Sequence, residues 1–441
     1  MGDWALSPSS RLPDADVTVV GGGCAGVMAA VAAGRQGASV TLIEREGTLG
    51  GTSTAVLDTF YGFWAPGDTP EQVVGGIPGE VIERLIGLGH AFVRPNSYGA
   101  GNGVTYNPEV LRWLYDQMCA EAGVQVLLHS SLTSVRVDGR RPAELLVTSG
   151  SELLELRTAA AVDSSGDAVL THLAGGASEG FSDIPNSQVM TTTFTMAPVD
   201  REAFDAVGRE GLLALLEDAI ASGEYALPRR EGSTHVTTVP QVEFIHMTRV
   251  ADVDPRDPAA LSRAERAGRE QAMEYARFLV ECVPGFGAAR MAWMSRRIGI
   301  RESRRVRGRY WLEKADVLAG RRFADAVACG AAPIEEHSHG DSTRWEFLGG
   351  TYDIPYRSLL PADLDGLLVA GRCFSASHDA HASARNMAQC MAMGQAAGTA
   401  AALAVQQGCQ PAELDVDLLQ ARLIADGARL GRSETALAVP S

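Results

Sequence analysis

The segment "DADVTVVGGGCAGVMAAVAAGRQGASVTLIERE", residues 14–46, constrains the fold more than any other. It reads as a strand (Val17 to Val20), a glycine turn, an Ala-rich helix (Ala25 to Arg35) and a second strand (Ser39 to Ile43) ending at Glu44. That order is βαβ. Gly21, Gly23 and Gly26 fit G-x-G-x-x-G: the first permits the tight turn, the second lets backbone amides approach a pyrophosphate, and the third lets helix and strand touch. Cys24 and Ala25 then open the helix, whose free N–H groups and dipole favour an anion. Glu44 lies 18 residues beyond Gly26, where a carboxylate can accept hydrogen bonds from ribose hydroxyls. An isolated glycine pattern would fit an ordinary βα turn; strand, helix, second strand and terminal acid together point to a dinucleotide.

After Glu44 and Arg45 the chain runs "EGTLGGTSTAV" instead of entering another helix and strand. Such a loop can wrap a longer cofactor. Gly50 and Gly51 allow backbone to lie against a diphosphate and a flavin ring, and Thr52 and Ser53 offer hydroxyls. This favours FAD over NAD.

Chain length and charge bound the remaining possibilities. With 441 residues, 46% hydrophobic and 21% charged, the sequence suits a soluble globular protein of two domains. Its net charge of −16 (38 basic against 54 acidic residues) opposes nonspecific binding to nucleic acid or anionic membranes. A small-molecule partner is expected. The opening "MGDWALSPSSRLPDA" reads as a flexible arm, residues 1–15, without a secretory signal, and no apolar run reaches the ~18 residues of a membrane helix. Seven scattered cysteines lack metal-finger spacing, so reduced thiols in a cytoplasm are expected.

Four further segments accompany the fingerprint and its "GGTS". "NPEVLRWLYDQMCAEAGVQVLLHSSLTSVRVDG" places Val110, Leu111, Leu114 and Met118 at helical spacing before a strand, Val124 to Leu128. "AAAVDSSGDAVL" is an apolar strand ending near Gly166 and Asp167. "RRIGIRESRRVRGRYWL" is rich in arginine. "YDIPYRSLLPADLDGLLVAGRCFSASHDAHASARNMAQCMAMGQAAGTAAALA" contains a buried strand ending at Gly371 and Arg372, a polar loop, and a small-residue helix from Asn386 and Met387 to about Val405.

In order and spacing these segments resemble the FAD-dependent oxidoreductases of the glutathione-reductase-type flavoprotein superfamily, and within it the flavoproteins related to fumarate reductase and succinate dehydrogenase. The resemblance implies an α/β fold: a discontinuous Rossmann-like FAD-binding domain (16–177 and 336–441) with an inserted α+β cap, 178–335. Residues 56–104 read as an irregular excursion at the pocket entrance. The family's last helix aims its N-terminus at the flavin pyrimidine edge. The cap lacks a second glycine fingerprint, so no NADPH seat is evident; electrons are expected from the substrate, with oxygen or an unidentified carrier as acceptor.

The titratable residues have bland readings beside functional ones. Arg301 is divided between an ion pair and a substrate anchor. Tyr356 and Arg357 divide between packing and active-site roles. His337 with His339, and His378 with His381, invite a metal reading, but without a positioned third ligand none is assigned. His381 and Arg385 lie four apart ahead of the last helix, so that one helical face can carry a proton acceptor and a cation; helix capping with Asp379 is the alternative. The expected activity is oxidation of a small organic substrate by hydride transfer to flavin N5. Alkene reduction, flavin-dependent hydroxylation and flavin binding without turnover are the alternatives, and the oligomeric state is left open.

Overall fold

The computed structural model describes residues 8–67, 70–96, 101–180, 183, 187–337 and 343–431. The fingerprint strand Ala15–Val20, the helix Cys24–Arg35 and the strand Val40–Ile43 form the expected βαβ unit. They belong to a parallel sheet ordered Gln125–Leu127, Val40–Ile43, Ala15–Val20, Glu152–Asp163, Leu367–Val369. Most of its strand positions are buried, which explains runs such as VTVV and LLV in place of alternating patterns. The sheet is thus closed by a strand from near the end of the chain. The strand Glu152–Asp163 has two roles: Thr158 to Asp163 pair with the parallel sheet, while Glu152 to Arg157 pair with the antiparallel strand Arg141–Ser149, which pairs in turn with Ser130–Asp138.

Behind the sheet, the fingerprint helix packs on the long helix Met387–Gln407, almost all of which is buried. The contact is backbone on backbone. A Cβ on Gly394 would stand 2.1 Å from the Ala25 carbonyl oxygen, and one on Gly398 2.0 Å from that of Ala29. The small-residue sequence of both helices follows from this approach.

Residues from the middle of the chain build an antiparallel sheet, ordered Ser233–Val236, Glu243–His246, Phe194–Ala197, Arg290–Met294. Helices Arg201–Ser222 and Pro258–Cys282 cover one face, and Phe194, Phe204, Ile245, Phe278 and Phe286 form a separate apolar cluster there. Strand alternation turns Ser233, His235, Phe244 and His246 to the other face.

Two sequence expectations are corrected. The described residues of 56–104 are not irregular: strands Thr59–Phe60, Ala91–Pro95 and Asn102–Tyr106 form a sheet, and helix Gly76–Gly87 packs on the long helix Met387–Gln407. Glycines and prolines there punctuate short elements and hid them. Nor is the described part of the arm loose, because Ser10–Arg11 pairs with the strand Glu152–Asp163, and residues 1–7 lie outside the described residues. Among the described residues no helix is long and apolar enough to cross a membrane, and all seven cysteines are unpaired.

Replacing Gly398 with Leu forces the two helices apart. The expected cost is about 1–3 kcal/mol or more for overpacking, read as a lower urea midpoint with loss of bound flavin. An unchanged midpoint would show that the helices can separate freely.

Candidate functional site

A single cleft of about 410 Å³ runs from the fingerprint to the inner face of the antiparallel sheet. At its outer end Gly21, Gly23, Cys24, Ala25, Glu44, Arg45, Gly51 and Thr52 line one wall. The fingerprint glycines act differently. Gly21 has φ +98°, and a Cβ there would lie 2.6 Å from Ser165 Cα; a Cβ on Gly26 would stand 1.8 Å from the Gly21 carbonyl oxygen. A Cβ on Gly23 would meet nothing within 4 Å, so the space above the helix N-terminus is open on that side. That end of the helix has no side-chain cap, leaving its N–H groups free for an anion. Glu44 is held by the backbone N–H groups of Gly22 (2.6 Å) and Glu46 (2.8 Å), one on each carboxylate oxygen. These features suit the diphosphate and ribose of a dinucleotide.

The helix Met387–Gln407 brings a second N-terminus without a side-chain cap to the same cleft, where Asn386, Met387 and Cys390 line the wall. Gly166, Gly371 and Arg372 lie there as well. Arg372 works as a brace: it donates to the Gly166 carbonyl (2.9 Å), the Ile300 carbonyl (2.6 Å) and the Asp167 carboxylate (2.7 Å). Asp167 also accepts from Ser303 (2.7 Å) and does not face the cleft. Burial opposes its charge, but Arg372 and Ser303 outweigh burial and keep its carboxyl below the ordinary range. Gly26, Gly50 and Ser53 are likewise displaced from cofactor contact to local packing; the Ser53 hydroxyl donates to the Gly50 carbonyl (2.8 Å). Arg297, which the sequence did not single out, lines the cleft beside Gly51.

At the inner end the arginine run separates. Arg301 lines the cleft, donating to the Val189 carbonyl (2.7 Å) and to His246 Nε2 (3.1 Å). Arg304 reaches the Asp167 carbonyl, Arg305 is buried against Glu179 and Glu302, Arg307 pairs with Glu179, and Arg309 stands 3.5 Å from Asp365. His337 also lines the cleft, between Glu335 (2.8 Å) and Thr343 (3.1 Å). Burial and the neighbouring Arg301 push its pKa down to about 3, so the imidazole is neutral at physiological pH. Burial opposes ionisation of Glu335, yet His337, Arg385 and Arg301 hold its carboxyl at about 2.

Arg385 lines the cleft, but His381 does not. His381 is fully buried, its Nε2 bonded to the Arg372 carbonyl at 2.7 Å. Burial drives its pKa down to about 3. The helix His378–Ala384 does set the two residues four apart, but only Arg385, at its C-terminal cap, reaches the cleft. His378 is also outside the lining; Glu302 (2.8 Å) and Glu336 (3.4 Å) flank it and raise its pKa against burial. Arg357 is a surface partner of Asp325 (2.8 Å), and Tyr356 donates to the Pro411 carbonyl (2.7 Å); both are structural. His339 lies outside the described residues. Among the described residues no group of three or more His, Cys, Asp or Glu is arranged to hold a metal.

The inner wall contains residues that the sequence did not announce: Asp58, Arg229, His235 and His246. The pairing of His235 with Phe244 and of Ser233 with His246 sets all four on one sheet face, and the His235 ring stacks on Phe244 at 4.9 Å. His235 Nε2 meets Asp58 Oδ1 at 2.7 Å and Thr59 Oγ1 at 3.1 Å. The alternation in "STHV" and "EFIH" was the available signal; that this face turns inward is a tertiary fact.

A family profile described as FAD dependent oxidoreductase matches residues 16–423. Over 39 residues the chain is 56% identical to the dihydrolipoamide dehydrogenase of Chaetomium thermophilum, a match covering 9% of this chain and 8% of that protein. Among solved structures, a geranylgeranyl bacteriochlorophyll reductase-like protein from Thermoplasma acidophilum is similar at 12% identity and TM-score 0.44, covering 96% of this chain and 85% of that one. The p-nitrophenol 4-monooxygenase PnpA from Pseudomonas putida DLL-E4 is similar at 11% identity and TM-score 0.47, covering 94% and 84%.

Gly23→Val fills the open space over the helix N-terminus. The purified variant is expected to keep its thermal midpoint as apoprotein but to lose its visible flavin absorbance; retained FAD would show that this space is not the diphosphate seat. The buried imidazoles set the acid response. His337 and His381 have native pKa values of about 3 against an ordinary 6.5, and that of His246 is also strongly lowered, by burial and then by Arg301. The unfolded chain therefore binds protons that the native one refuses, and stability present above about pH 6.5 falls as pH drops toward 3. A thermal midpoint that is flat from pH 7 to pH 4 would contradict this.

Proposed function

The chain belongs to the FAD-dependent oxidoreductase family, and from that premise we propose that it is a dehydrogenase or oxidase acting on a small organic molecule held at the inner end of the cleft. The observation carrying this reading is the continuity of the cleft: one space joins the fingerprint, the second helix N-terminus and a chamber walled by titratable cap residues. Bound FAD supplies a two-electron acceptor, taking hydride at N5. The reading divides the chain into a cofactor-binding part (16–177 and 336–441) and a cap (178–335), a division supported by the cap's separate apolar cluster. Kinship with fumarate reductase flavoproteins belongs to the same proposal, on the sequence segments alone.

Cleft geometry favours His235 over His381 as the proton acceptor. His337 has both ring nitrogens engaged, and His246 Nε2 accepts from Arg301, so neither offers a free basic nitrogen on the bonded side. His235 donates from Nε2 to Asp58 Oδ1, which leaves Nδ1 as the lone-pair nitrogen. Asp58 fixes this tautomer, as a carboxylate does for a general base. His381 keeps a positioning role: it holds the Arg372 carbonyl beneath the cofactor site.

Anaerobic mixing with alcohols, amines and hydroxy acids, followed at the visible flavin band, tests the proposal. Bleaching by an organic substrate without NADPH is the expected result. Rapid bleaching by NADPH alone would favour the alkene reductase or hydroxylase, and inertness to every reductant would favour flavin binding without turnover. With the substrate found, His235→Asn should keep FAD and thermal midpoint while slowing flavin reduction about 10²–10⁴-fold. A normal reduction rate in this variant would remove His235 from the chemistry.

A further inference from the structure

The inner end of the cleft holds more positive charge than the polypeptide neutralises. Arg229, Arg301 and Arg385 come from three separate stretches of chain and line the same wall. Their hydrogen bonds tie them together. Arg229 donates to the His246 carbonyl (3.0 Å) and Arg301 to His246 Nε2 (3.1 Å). Arg301 also reaches the Val189 carbonyl (2.7 Å), and Arg385 reaches the side chain of the adjacent Gln188 (2.9 Å) and the Glu335 carbonyl (3.2 Å). Every one of these acceptors is neutral.

Other arginines are treated differently: Arg305, Arg357 and, in the same cleft, Arg372 are each paired with a carboxylate. Among the described residues Arg229, Arg301 and Arg385 have no such ion-paired partner. The Nε atoms of Arg229 and Arg385, and Gln188 Nε2 beside them, are buried without any acceptor. Glu335, bonded to the neutral His337, makes no ion pair with the three but supplies one negative charge to their wall, short of the three positive ones. Three buried guanidiniums in one wall with a single carboxylate near them are costly, because each disfavours the others and only one charge is offset. Burial and the fields of Arg385 and Arg229 destabilise the charged form of Arg301 and outweigh the opposing field of Glu335. An occupant that brings negative charge relieves all of these costs at once.

The remainder of the chamber is not suited to a bare inorganic anion. Tyr61 and Trp345 line the same cleft together with Phe244, whose ring stacks on His235, so its wall is rich in aromatic carbon. We infer that the substrate is a carboxylate carried on an aromatic or otherwise planar apolar body, its oxygens held by Arg301 and Arg385 with Arg229 behind them and its body against the aromatic wall. A guanidinium fork matches the two carboxylate oxygens, which a hydroxyl or amine cannot do. The inference rests on the reading that the cleft takes a small organic substrate.

Binding can be read without turnover. The holoenzyme is titrated with phenylacetate, acetate, 2-phenylethanol and sulfate while the flavin difference spectrum is recorded. Phenylacetate should give a saturable perturbation, acetate a weaker one and 2-phenylethanol none. Arg301→Met and Arg385→Met should each weaken phenylacetate about 10–100-fold at unchanged FAD content. Should either variant lose FAD, Arg385→Lys and Arg229→Met supply the same comparison, with loss of the fork in the first and of one charge in the second. The inference is overturned if no carboxylate perturbs the flavin, if 2-phenylethanol binds as well as phenylacetate, if sulfate binds better, or if the arginine variants bind phenylacetate normally. A saturable perturbation without bleaching by any organic compound would uphold the anion chamber and sink the oxidase reading; the reverse pattern would do the opposite.

Discussion

Two helices meet backbone to backbone, and the site depends on that contact. Gly394 and Gly398 allow the helix Met387–Gln407 to lie directly on Ala25 and Ala29 of the fingerprint helix. Each helix ends its N-terminus at the cleft without a side-chain cap. Close packing therefore does more than fill a core. It points two sets of unsatisfied N–H groups into one space, and anionic atoms of a cofactor are what such groups bind best. Larger residues at the crossing would move one of those ends away from the other.

Around this pair the structure economises on charge at some places and leaves it uncompensated at others. Arg372 ties the Gly166–Asp167 turn to the segment around Ile300 and Ser303, so the floor of the cleft is fixed by ion pairing and carbonyl contacts. His381 supports the same residue from below. By contrast, the guanidiniums of the inner wall rest on neutral acceptors. The floor is held by the protein's own charges, while the inner wall keeps guanidinium and amide donors that the protein does not satisfy.

Legibility in the sequence followed the range of the interaction that placed each residue. The βαβ unit was readable because turn, helix start and strand end lie within about 30 residues and each has its own chemical requirement. The buried strand before Gly371 and the small-residue helix after Asn386 were readable for the same local reasons. Burial behind the loop was not: His381 and Arg385 share a helix, yet only one reaches the cleft, since the other is drawn to a carbonyl nine positions back in the chain. Arg357 stays divided between two roles in the sequence because nothing local announces Asp325 as its partner. His235 and His246 were missed because strand alternation says that they share a face and leaves open which way that face looks.

The crossing of the two glycine-lined helices also has a temporal side. During synthesis the fingerprint helix leaves the ribosome more than 350 residues before the helix that covers its Ala face, and the strand Leu367–Val369 that closes the sheet arrives equally late. Until then the nascent N-terminal segment carries an open parallel edge and an apolar stripe, features that aggregate when left exposed. The glycine fingerprint therefore waits for a helix more than 350 residues downstream before its packing is complete.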